Sequence, residues 1–162
     1  MKTIKFYPIG IIHSPFNEAK GTPIQFSASK DIEGTIEIFP DFIEGLKDLE
    51  DFSHIILIYH FHLAKNAALR VIPFMDDCER GVFSTRAPNR PNSIGFSIVK
   101  LNKIENNNLY VSGLDIINGT PLLDIKPYVP EFDVVDVTKT GWLEKKVSKL
   151  PNIKDDGRFV EK

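Results

Sequence analysis

The stretch FSTRAPNRPNSIGFS, residues 83–97, carries two arginines four positions apart, each close to a proline. Pro88 and Pro91 fix the backbone φ angle and remove amide donors, so this loop is stiff. Arg86 and Arg90 each present a permanent charge and a planar fork of N–H donors, which suits a carboxylate, a phosphate or a base edge. The pattern predicts a pre-organised binding loop. The alternative is a surface loop whose arginines pair with acids elsewhere.

A second polar group lies in GLDIINGTPLLDIKPYVPEFD, residues 113–133. A tight turn over NGTP, residues 118–121, could hold a polar ligand with exposed amides and the Thr120 hydroxyl. In the extended segment that follows, alternate positions place an acid, an amine and a phenol on one side: Asp124, Lys126 and Tyr128. The spacing predicts a polar wall. The alternative is an ordinary edge strand with a polar face.

Two weaker signals accompany these stretches. Gln25, in the loop TPIQFSAS, offers both a donor and an acceptor to a ligand, although a solvated glutamine is the usual case. His60 and His62 would share one face of a strand, which is a geometry that metal ligands adopt. No cysteine or acidic cluster accompanies them in the sequence, so hydrogen-bonded histidines are favoured and no metal is predicted.

The elements that must position these residues are mostly strands. Runs rich in β-branched and aromatic residues occupy 4–14, 34–40, 54–63, 68–75, 94–105 and 108–117. The run at 54–63 is nearly all apolar, as in a strand buried on both faces. The last two runs are joined through ENNN, which predicts a hairpin. Helical spacing is found only at 40–52, and 141–150 is either a short helix or an extended tail.

This pattern favours a mainly β protein, a barrel or closed sheet with one or two small helices, over a doubly wound α/β fold. The Gly-rich phosphate fingerprints of Rossmann and Walker type are missing from the sequence. We expect one barrel domain over 1–140. Residues 141–162 would form a C-terminal extension or tail, polar and loose from 148 onward, without a separate C-terminal domain.

The net charge and the lack of targeting signals in the sequence limit the classes of function that the chain can have. The net charge of −2 argues against nucleic-acid binding through a global positive field, though a local basic patch is compatible with it. The first residues lack the pattern of a signal peptide, and no apolar run approaches the roughly 20 residues that span a membrane. We therefore predict a cytoplasmic protein without a membrane partner.

Four stretches in this order resemble the TsaA-like family, the TrmO-type tRNA (adenine-N6)-methyltransferases: IGIIHSPF, LEDFSHIILIYHFH, GVFSTRAPNRPNSIGFSIVKL and GLDIINGTPLLDIKPYVP. The resemblance covers roughly residues 9–130. It implies a compact antiparallel β-barrel, unlike Rossmann-type methyltransferases. It also implies S-adenosylmethionine as cofactor and a homodimer with the cofactor near the subunit interface. The implied reaction methylates N6 of threonylcarbamoyladenosine, the base just 3′ of the tRNA anticodon, so tRNA is the expected partner.

By position, the resemblance places cofactor contacts on twelve residues: Pro23, Ile24, Gln25, His62, Leu63, Arg86, Arg90, Leu101, Asn118, Gly119, Thr120 and Pro121. Three of these depart from the family pattern, which has Arg for Ile24, Gln for Leu63 and Asp for Asn118. Asn118 can still hydrogen-bond a cofactor hydroxyl, but without a charge.

The acceptor nitrogen of threonylcarbamoyladenosine is urea-like, so loss of its proton would assist methyl transfer. Asp124 is the candidate base, with Tyr128 and Lys126 orienting it or the substrate, and Arg86 could meet a carboxylate of the cofactor or the threonyl group. Two other functions stay open. One is an RNA-binding module without catalysis, and the other is a small-molecule methyltransferase with the same cofactor site.

Overall fold

A computed structural model describes residues 3–25, 29–146 and 153–160. The strands are β1 (Gly10–His13), β2 (Glu33–Ile38), β3 (His54–His60), β4 (Arg70–Val71), β5 (Arg80–Gly81), β6 (Ile94–Glu105), β7 (Asn108–Ser112) and β8 (Thr120–Pro127). Within the described residues there is one short α-helix, α1, at Pro130–Asp133. The same residues contain four 3-10 helices, at Pro40–Leu46, Leu49–Asp51, Val82–Ser84 and Gly141–Leu143.

Six of the strands close into one antiparallel barrel in the order β1-β2-β7-β6-β3-β8, and β8 pairs back onto β1. The prediction of a mainly β barrel with few short helices is confirmed. Strands β4 and β5 form a separate two-stranded ribbon. Strand β8 was weighed as an edge strand, but it pairs with β1 on one side and β3 on the other.

The barrel interior is filled by alternate residues of each strand. In β3, Ile55, Leu57 and Tyr59 are buried while Ile56 and Ile58 are only half-buried. The expectation that this strand is buried on both faces is therefore wrong. A closed barrel encloses only one face of each strand, and apolar residues on the other face cover its outer surface.

The hairpin between β6 and β7 is confirmed. Strand β6 has the predicted bounds, and Asn106 takes the left-handed conformation at the turn, with φ of 56°. Asparagine tolerates that conformation better than most residues, which is why the sequence signal was clear.

Other segments form less regular structure than the sequence predicts. The helical pattern at 40–52 becomes two 3-10 helices, separated where Asp48 adopts a φ of 65°. Only Gly10–His13 of the predicted strand 4–14 is paired, and the runs at 68–75 and 108–117 yield only Arg70–Val71 and Asn108–Ser112. Gly113, with φ of 94°, turns the chain out of β7.

The C-terminal segment 153–160 is not loose, contrary to expectation. Its Asp155 exchanges backbone hydrogen bonds with residues 21 and 22, and Phe159 is buried in a small cluster with Val71, Val82 and Ala87. Residues 147–152 and 161–162 of the predicted tail lie outside the described residues, and the division at residue 140 stays a prediction. Among the described residues, no helix is long and apolar enough to cross a membrane.

Candidate functional site

A cavity of about 440 Å³ opens at the end of the barrel where β3 ends and β6 and β8 begin. Ligand pockets commonly fall within roughly 300–1,000 Å³, so the cavity can hold a small molecule. Its walls come from five separate stretches of chain, which lie within 19–25, 59–64, 85–96, 115–120 and 155–160, and from Phe74.

Eight of the twelve predicted cofactor residues line this cavity: Pro23, Ile24, Gln25, His62, Leu63, Arg86, Arg90 and Thr120. They come from four stretches far apart in the chain, and the closure of the barrel brings them together. The predicted binding loop and the predicted NGTP turn thus meet at one site.

The other four predicted cofactor residues are placed elsewhere. Leu101 is 7% exposed and belongs to the barrel core. Asn118 and Gly119 build the turn before β8: the Asn118 Oδ1 accepts from the Ser14 amide at 3.2 Å, and Gly119 has φ of 77°. Pro121 lies within β8 opposite Ile11.

The three predicted catalytic residues do not line the cavity of their own chain. Asp124 and Lys126 stand opposite Ile58 and Ile56, so they share the outer face of the barrel with those residues. Their side chains form an exposed ion pair at 2.7 Å, as the predicted same-side spacing requires. Tyr128 contacts the ring of His54 edge-on at 6.4 Å.

The two arginines of the binding loop have different partners. The guanidinium of Arg90 donates to the carbonyl oxygens of Thr85 at 3.2 Å and Ala87 at 3.4 Å, so it holds its own loop together. Arg86 is exposed, donates to the Gln25 Oε1 atom at 2.7 Å and lies over the Phe96 ring at 4.9 Å. Arg86 is therefore the arginine placed to meet a ligand.

A hydrogen-bond chain sets the tautomer of His62. The Thr120 hydroxyl donates to the carbonyl oxygen of Ile117 at 2.7 Å, so its oxygen accepts from Nδ1 of His62 at 3.2 Å. Burial and the nearby His60 lower the pKa of His62, which keeps the ring neutral near pH 7. The Nε2 atom is left as a hydrogen-bond acceptor in the cavity wall.

Sequence reasoning missed a buried polar network at the cavity floor. Ser97 is fully buried and donates to the Asp115 Oδ1 atom at 2.6 Å, and the Tyr59 hydroxyl then donates to Ser97 Oγ at 3.1 Å. Burial, followed by the charge of Asp115, raises the pKa of Tyr59 well above its usual range. Tyr59 and Asp115 both line the cavity. The sequence feature that could have indicated this network is Tyr59, a polar aromatic residue at a position of β3 that faces the barrel interior.

Much of the remaining wall is apolar, and its large side chains are Phe61, Phe74, Ile94, Phe96 and Phe159. Flat rings can stack against such a surface, while the polar groups above can bind hydroxyls, an amide or a carboxylate. The arrangement therefore suits a ligand with a flat heterocycle and a polar, charged tail. The described residues contain no group of three or more metal-ligating side chains.

Comparisons of this chain with a family model, with individual proteins and with solved structures all point to the same family. The family model of the tRNA-methyltransferase O N-terminal domain matches residues 11–134. A probable S-adenosyl-L-methionine-binding protein of Pyrococcus abyssi is 63% identical over 156 residues, which cover 96% of this chain and 85% of that protein. The human tRNA (adenine(37)-N6)-methyltransferase is 39% identical over 133 residues, covering 78% of this chain and 30% of that protein.

The solved structure of TrmO from Pseudomonas aeruginosa matches with a TM-score of 0.73 and 40% identity. The match covers 88% of this chain and 62% of that one, so the chain spans less than two thirds of the TrmO structure.

Proposed function

The chain belongs to the family of the tRNA-methyltransferase O N-terminal domain, as the sequence resemblance indicated, and from that premise we propose that it is an S-adenosylmethionine-dependent methyltransferase. Its proposed acceptor is N6 of threonylcarbamoyladenosine next to the tRNA anticodon. Relatives named as S-adenosyl-L-methionine-binding proteins and as a tRNA adenine-N6-methyltransferase support this proposal. We also propose a cytoplasmic location, in keeping with a tRNA-modifying role.

One observation carries the proposal. Eight predicted cofactor residues from four separate stretches of chain meet in a single cavity of about 440 Å³. The family resemblance assigned these residues to one cofactor, and their meeting in one cavity of suitable volume supports that assignment.

The residues present fit the cofactor. The aromatic wall would hold the adenine ring, Asp115 and Thr120 would bind hydroxyl or amino groups, and Arg86 would pair with the carboxylate. When bound, the cofactor supplies a methyl group activated by its positively charged sulfur. Methyl transfer breaks that carbon–sulfur bond, forms a carbon–nitrogen bond and releases a proton from the acceptor nitrogen.

The chain then contributes positioning and a proton acceptor. Asp124 is the base proposed from the sequence, oriented by Lys126 and Tyr128. Since Asp124 faces outward from the barrel, this role requires the acceptor or a second copy's cavity to approach that face. Within the chain's own cavity, the Nε2 atom of neutral His62 is the alternative proton acceptor.

We propose a homodimer, as the family resemblance implies. Two described segments expose apolar side chains that a second copy would cover. Their exposed residues are Ile4, Phe6 and Tyr7 near the N-terminus, and Phe132, Val134, Val135 and Val137 around α1. Light scattering at several concentrations tests this, and a monomer at every concentration would remove the dimer from the proposal.

The activity is tested by incubating the protein with labelled S-adenosylmethionine and three acceptors. These are tRNA that carries threonylcarbamoyladenosine, the same tRNA without the modification, and a tRNA-free extract of small molecules. Nucleoside mass spectrometry should find the new methyl group on N6 of the modified base only. Label confined to the extract would favour a small-molecule methyltransferase. RNA binding without transfer would favour a binding module.

A further inference from the structure

A second cavity, of about 540 Å³, adjoins the first. The two share one wall, made of Ile24, Gln25, Phe74, Thr85, Arg86 and Phe159. A group bound in either cavity would therefore lie against the same arginine.

Aromatic side chains dominate this second cavity. Phe83 is 75% exposed although it lies in the cavity wall, and Trp142 stands beside it, with its indole N–H donated to the Ser84 carbonyl oxygen at 2.8 Å. An aromatic face that is open to solvent stabilises nothing in the folded chain by itself. It is, however, the surface on which an unpaired base stacks.

Positive charge accompanies these rings. Arg80 and Lys146 lie 5.7 Å and 5.9 Å from the Trp142 ring centroid. Both cations bind the buried carboxylate of Asp76, at 2.8 Å and 2.5 Å. Within this group of three side chains, two positive charges face one negative charge next to the aromatic surface. Exposed aromatic rings beside cations are typical of proteins that bind single-stranded nucleic acid.

We propose that this second cavity is the acceptor site, which holds an unpaired base of single-stranded RNA. The base stacks on Phe83 beside Trp142, the flanking phosphates lie near Arg80 and Lys146, and the reacting edge meets the shared wall at Arg86. This inference rests on the proposed function, because it assigns the second substrate of the same reaction. Tyr128, the phenol of the predicted polar wall, lines neither cavity.

Part of this site lies outside the matched family domain. The family match ends at residue 134, whereas Trp142 and Leu143 of the cavity wall, and Lys146 beside the Trp142 ring, follow it. The acceptor site is thus completed by the segment after the barrel, which would help the chain grip RNA despite its net charge of −2.

Trp142 is the only tryptophan of the chain, so its fluorescence reports on this cavity alone. The full chain is titrated with a single-stranded oligoadenylate, and with inorganic polyphosphate as a probe of charge without bases. We expect saturable quenching with the oligoadenylate and much weaker quenching with polyphosphate at the same phosphate concentration. Phe83→Ala should weaken oligoadenylate binding at least tenfold, because stacking contributes strongly for each base. Phe42→Ala, which removes an aromatic ring that is 41% exposed and lines neither cavity, should leave binding unchanged.

Calorimetry with S-adenosylmethionine on the same variants separates this inference from the proposed function. Unchanged cofactor affinity in Phe83→Ala, together with weakened oligoadenylate binding, supports the assignment. The inference is overturned if Phe83→Ala binds oligoadenylate as the parent does, or if polyphosphate quenches equally. The inference is also overturned if Trp142 emission changes with protein concentration and does not respond to oligoadenylate. In that case a second copy of the chain would cover the cavity. If the unmutated chain does not bind S-adenosylmethionine, that result would instead contradict the proposed function.

Discussion

Arg90 donates to two carbonyl oxygens of its own loop, whereas Arg86 donates to Gln25 and lies over Phe96. Composition and spacing identified the loop that carries both. Two prolines make the loop stiff, and two arginines in the same short run indicate a binding loop. The difference between the two arginines depends on where the loop folds back on itself, which spacing does not encode. The same limit explains why the Tyr59–Ser97–Asp115 network was missed.

Replacing each arginine by alanine should separate these roles. Arg90→Ala should lower the free energy of unfolding by about 1–3 kcal/mol, because hydrogen bonds from a charged group are lost. Arg86→Ala should change stability by less than about 0.5 kcal/mol, as expected for an exposed side chain. It should nevertheless weaken S-adenosylmethionine binding at least tenfold. Urea unfolding and calorimetry measure the two effects, and equal loss of stability in both variants would contradict the assignment.

His62 gives a prediction about pH. Because burial lowers its pKa below the ordinary value near 6.5, the ring stays neutral until the pH falls well below neutrality. If His62 accepts the proton, the rate of methyl transfer should be flat at neutral pH and fall as the solution is acidified through that lowered pKa.

His62→Gln should abolish this pH dependence along with most of the rate, and Asp124→Asn tests the base proposed from the sequence. A full rate in Asp124→Asn with cofactor binding intact would remove Asp124 from the role. A full rate in His62→Gln would remove His62.

At the scale of elements, the strands that alternate clearly, such as β2 and β6, were predicted with nearly correct bounds. Apolar and polar residues alternate along these strands because only one face of each strand is buried in the barrel. The 40–52 segment was predicted to be a small helix, and it forms two 3-10 helices instead of one α-helix. A left-handed Asp48 and a glycine at position 45 decided against the α-helix.

Gly95 allows strand β6 to pack closely against two aromatic rings of the cavity wall. A Cβ atom there would lie 2.5 Å from the Tyr59 ring and 2.6 Å from the Phe61 ring, both of which line the cavity. Gly95→Ala should therefore cost about 1–3 kcal/mol of stability and weaken cofactor binding. Gly81→Ala is the matched control, since nothing lies within 4 Å of its added Cβ. Thermal unfolding that shows the same loss in both variants would contradict this packing argument.

At the scale of the whole molecule, the closed barrel was predictable from the number of strands and the short turns, and the residues that meet at its open end followed from the family resemblance. The return of segment 153–160 to the cavity was not predictable, because its sequence is mostly polar and has no clear period. It is held by backbone bonds to residues 21 and 22 and by one buried ring, Phe159.

Phe159→Ala tests how far this segment supports the whole molecule. Removing a ring that is 8% exposed should lower the free energy of unfolding by about 3 kcal/mol and weaken the binding of S-adenosylmethionine, because the ring lines both cavities. Leu69→Ala, which shortens a side chain that is 69% exposed and lines neither cavity, should change neither quantity. Urea unfolding of the two variants measures the difference, and wild-type stability in Phe159→Ala would mean that the segment is not a structural part of the site.

The central claim is that the cavity at the end of the barrel is a cofactor site, and calorimetric titration of the full chain with S-adenosylmethionine tests it most directly. The expected result is saturable binding of one molecule per chain, weakened at least tenfold in Arg86→Ala and unchanged in Leu69→Ala, whose exposed side chain lines neither cavity. Absence of binding to the parent chain, or equal binding by both variants and the parent, would contradict the claim.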